Sequence, residues 1–419
     1  MKSLKYLFSG LIITLLFQSC LKDTCTEKRE FVQYTPVYMT KAQFRKNVEA
    51  SATRKLENPG KMYFYKQYLF INEQGKGVHI FDMKDEVNPV KISFYDIPGN
   101  FDIAIKDNIM YADNAIDLIA IDINDITNPK TVKRIEDHNN QYINYDPQLY
   151  YVYSVKSNVS QILDCTNSNF GRDVFFEGDL VNFDIKTAPN SSVINSNNTG
   201  TGTGGSFARF TVVNDYLYTV NHSSLKSYLI SDPSNPQFKN TNQLGWGIET
   251  IFPYKDKLFV GSNAGMFIFD NSRPETPVLL STFEHASACD PVVVYENTAY
   301  VTLRNGNECN GFINQLDVID ITNILQPKLI KSYPMNHPHG LSYSDGKIYL
   351  AEGQFGFKVL NVEDPNKVNE IAKIENIHSY DMISLTKERL FMIGDDGFYQ
   401  YNVTDPKHPK VVSTIKINE

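Results

Sequence analysis

Positive charge is in short supply in this chain of 419 residues: 40 lysines and arginines stand against 48 aspartates and glutamates, a formal net charge of −8. No basic patch occurs along it, which argues against a phosphate-backbone partner, so no nucleic acid is expected. Catalytic signatures are missing as well. There is no G-x-S-x-G turn for a serine nucleophile and no H-E-x-x-H helix for zinc. Gly200, Gly202 and Gly205 satisfy G-x-G-x-x-G, but they lie in the low-complexity stretch NTGTGTGGS with no helix after it, and a dinucleotide fingerprint needs that helix start to hold the pyrophosphate. The five cysteines have no C-x-x-C spacing, which argues against a structural zinc site. Tryptophan occurs once, at Trp246.

The chain does have a repeat. A short apolar strand ending in Asp or Asn is followed seven residues later by proline, as in AIDINDITNP (Pro129) and DVIDITNILQP (Pro327). Eight anchors can be placed, at Asp82, Asp122, Asp184, Leu229, Asp270, Asp320, Asn361 and Asn402, with intervals of 40, 62, 45, 41, 50, 41 and 41 residues. A unit of 40 or 41 residues is the period of a propeller blade. Each unit divides into four strand-like pieces separated by turns, as in SYDMISLT, RLFMIG, FYQYNV and KVVSTIKI at the end of the chain. A four-stranded unit that is apolar on both faces must stack against neighbours. The expected fold is therefore all-β, a β-propeller of eight four-stranded blades over residues 59–419. Seven is the alternative, because the third unit is interrupted from Asn158 to Glu177 and its Asp184 copy lacks the regular proline. The 25 tyrosines and 26 phenylalanines suit the layers between sheets. The Asp or Asn before each proline is read as capping its own turn rather than as a calcium ligand.

The copies LIAIDINDITNP and LDVIDITNILQP resemble the LVIVD repeat of bacterial propeller proteins, a likeness that covers roughly residues 59–419. The whole chain also resembles the LVIVD-repeat lipoproteins of the Bacteroidetes, through CDPVVV at Cys289, YVTLRNG at Tyr300 and NHPHGL at Asn336. That resemblance implies a location and a shape but no reaction.

At the N-terminus, Lys2 and Lys5 precede an apolar run from Tyr6 to Phe17, long enough for a signal-peptide core and too short to span a bilayer. Leu16-Phe17-Gln18-Ser19-Cys20 looks like a bacterial lipobox, with residues 1–19 as signal peptide and lipid on Cys20. The protein is expected to be extracytoplasmic and held to the outer membrane by that lipid. Residues 20–58 read as a tether with one short helix, Lys41 to Ala50, started by a Thr40/Gln43 capping box. The remaining cysteines, Cys25, Cys165, Cys289 and Cys309, permit three pairings. Cys289 with Cys309 is the favoured bridge, since a hairpin separates them, and it leaves Cys25 with Cys165.

Candidate site residues come from aligning the blades at the ring opening. Counting back nine residues from each second strand gives Gly60, Asn100, Asn140, Ala208, Glu249, Asp290, His339 and Asp381. Asp102, His285, His337 and His378 lie close by in sequence. Carboxylates beside imidazoles in a funnel can bind a divalent cation, for which His339, Asp381, Asp290 and Glu249 are the candidate ligands, or shift one another's pKa. His337-Pro338-His339-Gly340 is the sharpest piece, because proline fixes the chain between two imidazoles. Trp246, in LGWGIET, would offer an aromatic face for stacking if exposed. Two functions fit: a lipid-anchored binding or scaffolding module for a protein, peptide or glycan partner, or a metal-assisted hydrolase or lyase at the His/Asp-lined mouth.

Overall fold

A computed structural model describes residues 26–139, 146–164, 201, 203–206, 208–263, 265–284, 291–304 and 313–419. The chain divides into two units, residues 1–36 with 154–183, and residues 37–153 with 184–419. A two-stranded sheet pairs Thr26–Met39 with Tyr150–Asp164, and its outer portions are the described part of the first unit.

The second unit is a β-propeller. Its described residues form seven four-stranded antiparallel blades: blade 1 over 59–96, blade 2 over 103–135, blade 3 over 210–243, blade 4 over 248–284, blade 5 over 292–334, blade 6 over 341–374 and blade 7 over 381–416. In blade 6, for example, Leu341–Ser344 pairs with Lys347–Ala351, then Phe357–Asn361, then Asn369–Ile374. Eight blades were the first expectation, and seven are present. The inner strand of blade 2, Ile103–Lys106, packs directly beside that of blade 3, Phe210–Val213, so no blade stands between these two. The VNFDIKTAP copy lies outside the described residues.

The repeat works through two sets of hydrogen bonds. At the end of the third strand in six blades, the side-chain Oδ1 of Asp82, Asp122, Asp270, Asp320, Asn361 or Asn402 accepts the backbone N–H two residues on, at 2.8–3.1 Å. This is the self-capped turn expected from the sequence. In blade 3, where Leu229 holds that place, only the second cap three residues on is made, Asp232 accepting Ser234 N at 3.1 Å as Asp85, Asp125, Asp364 and Asp405 accept theirs in blades 1, 2, 6 and 7. Carbonyls of these turns then accept hydroxyls from the preceding blade: Tyr95 to Ile126 O at 2.7 Å, Tyr111 to Pro233 O at 2.8 Å, Tyr218 to Pro274 O at 3.1 Å and Ser281 to Ile324 O at 2.6 Å. Tyr95, Tyr111 and Tyr218 are fully buried. Each ring fills the interlayer while its hydroxyl finds an acceptor there, and that of Tyr218 also reaches Asn271 Oδ1 at 2.8 Å.

Ring closure uses no strand exchange, since all four strands of blade 7 come from the C-terminal end and all four of blade 1 from residues 59–96. Side chains join the two blades instead. Met62, Leu69, Ile71 and Phe81 of blade 1 share an apolar cluster with Ile383, Phe391, Ile393 and Phe398 of blade 7. Arg389 bonds Glu86 at 3.0 Å and lies over the ring of Phe64, and Asn418 N donates to Leu56 O at 2.8 Å.

The expected helix spans only Lys41–Phe44. Its capping box forms, with Thr40 N donating to Gln43 Oε1 at 2.8 Å, but tertiary contacts stop it one turn on. Arg45 is drawn to Asp117 at 2.8 and 2.9 Å, Phe44 and Val48 are buried, and Ala50–Ser51 pairs with the outer strand of blade 1. Residues 40–58 are thus bound along the blades of their own unit.

Tyr111→Phe removes the hydroxyl that reaches blade 3 and leaves the ring, so the expected loss of stability is about 1–2 kcal/mol, read as a lower urea midpoint at unchanged slope. An unchanged midpoint would mean that the Pro233 carbonyl is equally well satisfied without it.

Candidate functional site

The blade meander puts two kinds of connection at opposite ends of the ring. Proline-bounded turns and inner hairpins lie at the lower end. At the upper end lie the loops between second and third strands and the links from one blade to the next, and the sequence-selected candidates among the described residues fall on or beside these.

At the axis the inner strands carry a buried polar network. Lys61 and Asp102, 6% and 3% exposed, form an ion pair of 2.7 Å. Asp102 Oδ2 also accepts the backbone N–H groups of Arg209 and Phe210. Asp113 Oδ1 accepts Phe101 N at 2.7 Å, Asp102 N at 2.9 Å and the Asn100 amide at 2.7 Å. On the other side, Ser206 donates its hydroxyl to Asp381 Oδ1 at 3.2 Å and accepts Leu341 N at 2.9 Å. Thr203–Gly204 adds a short strand to the inner strand of blade 1, and Thr201 bridges to Lys106 of blade 2.

The described residues between Thr201 and Arg209 therefore cross the axis and are fastened to blades 1, 2, 6 and 7. In this low-complexity stretch Gly204 permits a close approach to blade 1. A Cβ on Gly204 would stand 3.1 Å from the Tyr63 ring.

Burial sets the charges in this network. It lowers the Lys61 pKa more than the neighbouring Asp102 raises it. Asp113 is pushed up to about 6 by burial, against the backbone N–H bonds that favour its ionised form. Asp381 is driven well above the usual carboxylate range by burial, against Met382 N–H, the Ser206 hydroxyl and the charge of Lys61.

A second group lies at the upper face between blades 6 and 7. His337, His339, Tyr380 and His378 follow one another ring to ring, with centroids 4.9, 5.2 and 4.8 Å apart. His378 is tied outward to Asp395 at 2.9 Å, and its N–H donates to Asp396 at 2.7 Å. Glu352, buried, accepts Asn336 N at 2.7 Å and pairs with Lys358 at 3.2 Å.

The expected residues thus separate. Asp102 and Asp381 meet the crossing segment at the axis, His337, His339 and His378 gather off-axis, and Glu249 lies in the inner strand of blade 4. Among the described residues no group of three His, Cys, Asp or Glu side chains is disposed to hold a metal. Asp290 and His285, like Cys20, Cys25, Cys165, Cys289 and Cys309, lie outside the described residues.

Trp246 is 77% exposed, between Gly245 at φ 90° and Gly247 at φ 86°. That conformation favours glycine and swings the indole out. Sequence reasoning missed Lys61, Asp113, Ser206 and Arg209. Lys61 could have been found as the neighbour of Gly60 in the aligned ring, but nothing local marks Ser206.

Comparison with protein-family models gives no match, nor does comparison with the curated proteins. Solved structures do match. A computationally designed protein, Ika8, is 10% identical over 88% of this chain and 91% of its own, with a TM-score of 0.53. A functionally unknown protein from Desulfotomaculum acetoxidans is 12% identical over 85% and 95%, with a TM-score of 0.50. BamB from Moraxella catarrhalis is 8% identical over 90% and 96%, with a TM-score of 0.48. At such identities the likeness of the first two concerns the fold alone, and the chain is a β-propeller.

Two outcomes are expected of the axial network. Asp102→Ala leaves Lys61 buried without its partner, which costs about 3–5 kcal/mol, and it should speed hydrogen exchange at Arg209 and Phe210 above that of the blade cores. Equal protection in the variant would show that Asp102 does not fasten the segment. Asp113 should also shape the pH profile. Its folded pKa lies above the unfolded one, so its contribution is favourable below the ordinary carboxylate pKa and is lost as pH rises towards 6. Asp113→Asn, which keeps the accepting oxygen, should flatten that decline between about pH 4 and 6 in denaturant titrations.

Proposed function

We propose that this chain is a lipid-anchored binding or scaffolding propeller of the LVIVD-repeat type, attached to the outer membrane through Cys20 and receiving a protein, peptide or glycan partner on its upper face. The observation that carries this reading is the contrast between axis and rim. The axis is crossed by the chain's own residues 201–209, and its carboxylates are engaged by Lys61, Ser206 and backbone N–H groups. The upper rim presents a bare indole at Trp246 and a 42% exposed Phe355, side chains that contribute large contact area when covered. The lipobox-like run ending at Cys20 supports membrane attachment. Among the described residues no helix is long and apolar enough to cross a membrane.

The test uses the full-length protein in its own membranes, with a photo-crosslinking amino acid at position 246 or, on a lower turn, at position 407. A discrete adduct from 246 and none from 407 is the expected result. Adducts of equal yield from both, or none from 246, would remove the upper face as the docking surface. Trp246→Ala should abolish the interaction at unchanged stability, within about 0.5 kcal/mol. Membrane attachment is tested separately: Cys20→Ser should release the protein into the soluble fraction, and continued sedimentation with membranes would overturn the anchor without touching the docking surface.

A further inference from the structure

Within the upper-face histidine group, two donor atoms converge. Nδ1 of His337 and Nε2 of His339 lie 3.2 Å apart and share one proton in a hydrogen bond, the place a metal ion would take. Two imidazole nitrogens on one Zn²⁺, each about 2.0–2.1 Å from it and at angles between octahedral and tetrahedral, are themselves about 2.8–3.4 Å apart. The observed separation matches that bite.

The fold holds this pair from three sides. His339 is 3% exposed, its N–H donates to Ala351 O at 2.7 Å, and its carbonyl accepts the Thr302 hydroxyl at 2.8 Å. His337 sits at φ 56°, a left-handed conformation uncommon for a residue with a side chain of this size. With Pro338 fixing the next φ, the chain turns back so that the two rings meet at 73°. The third side is Gly353, at φ 57°, where a Cβ would stand 3.0 Å from His339 Nε2 and 3.4 Å from His337 Nδ1. Both nitrogens therefore face the loop at a residue with no side chain. Gly353 is itself held by Ser379, through N–H···O bonds of 2.9 and 3.0 Å. His337 is only half-buried, which gives an ion a route from solvent.

We propose that His337 and His339 form a two-imidazole chelate for a borderline divalent transition-metal ion of the Zn²⁺, Ni²⁺ and Cu²⁺ class. Nitrogen donors select these ions over Ca²⁺ and Mg²⁺, which prefer oxygen. Two protein ligands leave coordination positions open to water or to a donor on a docked partner. This site differs from the cation set expected from sequence: it keeps His339, replaces the carboxylates with His337, and stands whether or not the docking reading holds.

The experiment is calorimetric titration of chelator-treated full-length protein with Ni²⁺ at pH 7.5, for wild type, His337→Ala and His408→Ala. His408 is an exposed histidine on a lower turn and serves as the control. One equivalent is expected in wild type and in His408→Ala, with a metal-dependent rise in Tm, and both should vanish in His337→Ala. No binding by wild type, or undiminished binding by His337→Ala, overturns the site. Should His337→Ala fail to fold, the electron paramagnetic resonance spectrum of wild type with one equivalent of Cu²⁺ decides. Coupling to two imidazole nitrogens supports the chelate, and its absence overturns it.

Discussion

Consider the third strand of blade 2, in which Leu118, Ile119, Ala120 and Ile121 are all buried. Successive side chains of a strand point to opposite faces, so both faces of the sheet are apolar and both must be covered. No blade can satisfy this alone, and an open stack would leave two faces bare. Closure into a ring is thus a requirement of the side-chain pattern, and the remaining devices serve it. The bulge in the outermost strand of every blade increases twist, and the buried hydroxyls of Tyr95, Tyr111 and Tyr218 fix blades 1 to 3 against the turn of the next blade.

Closure makes one seam, between blades 7 and 1, that the repeat itself does not seal. On the outside the seam is joined by Arg389 and the shared apolar cluster. On the inside, residues 201–209 pair with blade 1 and reach Asp381 of blade 7 through Ser206. A chain segment that leaves after blade 2 and returns before blade 3 is well placed for this, because it can cross the axis without passing through the wall. The cost of burying Lys61, Asp102 and Asp381 is offset only where each finds a partner. In this network the crossing segment supplies the Arg209 N–H to Asp102 and the Ser206 hydroxyl to Asp381, so the polar lining and the segment support each other.

The architecture was legible because its signals are local and periodic. The spacing of Asp122, Asp270 and Asp320 recurs with the blade, and each side chain caps an N–H two residues away, a relation visible within three letters of sequence. The same locality produced the error in blade count: VNFDIKTAP has the apolar strand and acidic residue of a copy, but a short motif does not say whether three more strands accompany it. The site was legible in part. Asp102, Asp381 and the His337-Pro338-His339 turn were marked by position in the aligned blades. Ser206 was not, since its bond to Asp381 spans 175 residues and its surroundings read as a glycine-rich linker. Lys61 was hidden by the expectation that a lysine lies outside, when burial beside Asp102 is what places it at the axis. The helix after Thr40 was overextended for a related reason: capping is local, whereas the pull of Asp117 on Arg45 is not.

The two ends of the ring differ in what a partner would meet. At the lower end nearly every blade shows the same capped turn, with Asp85, Asp125, Asp232, Asp364 and Asp405 holding equivalent bonds. A surface built from copies offers a partner several equivalent registers and so discriminates poorly among them. At the upper end the links between blades differ in length and content, and each distinctive feature occurs once: the exposed Trp246, the left-handed His337 and the Glu352–Lys358 pair. Specificity is a difference in affinity between right and wrong partners, and it requires features that are not repeated. The repeat therefore makes one end uniform and leaves the other end free to vary. The proposed docking on the upper face is thus supported on grounds independent of any single residue there.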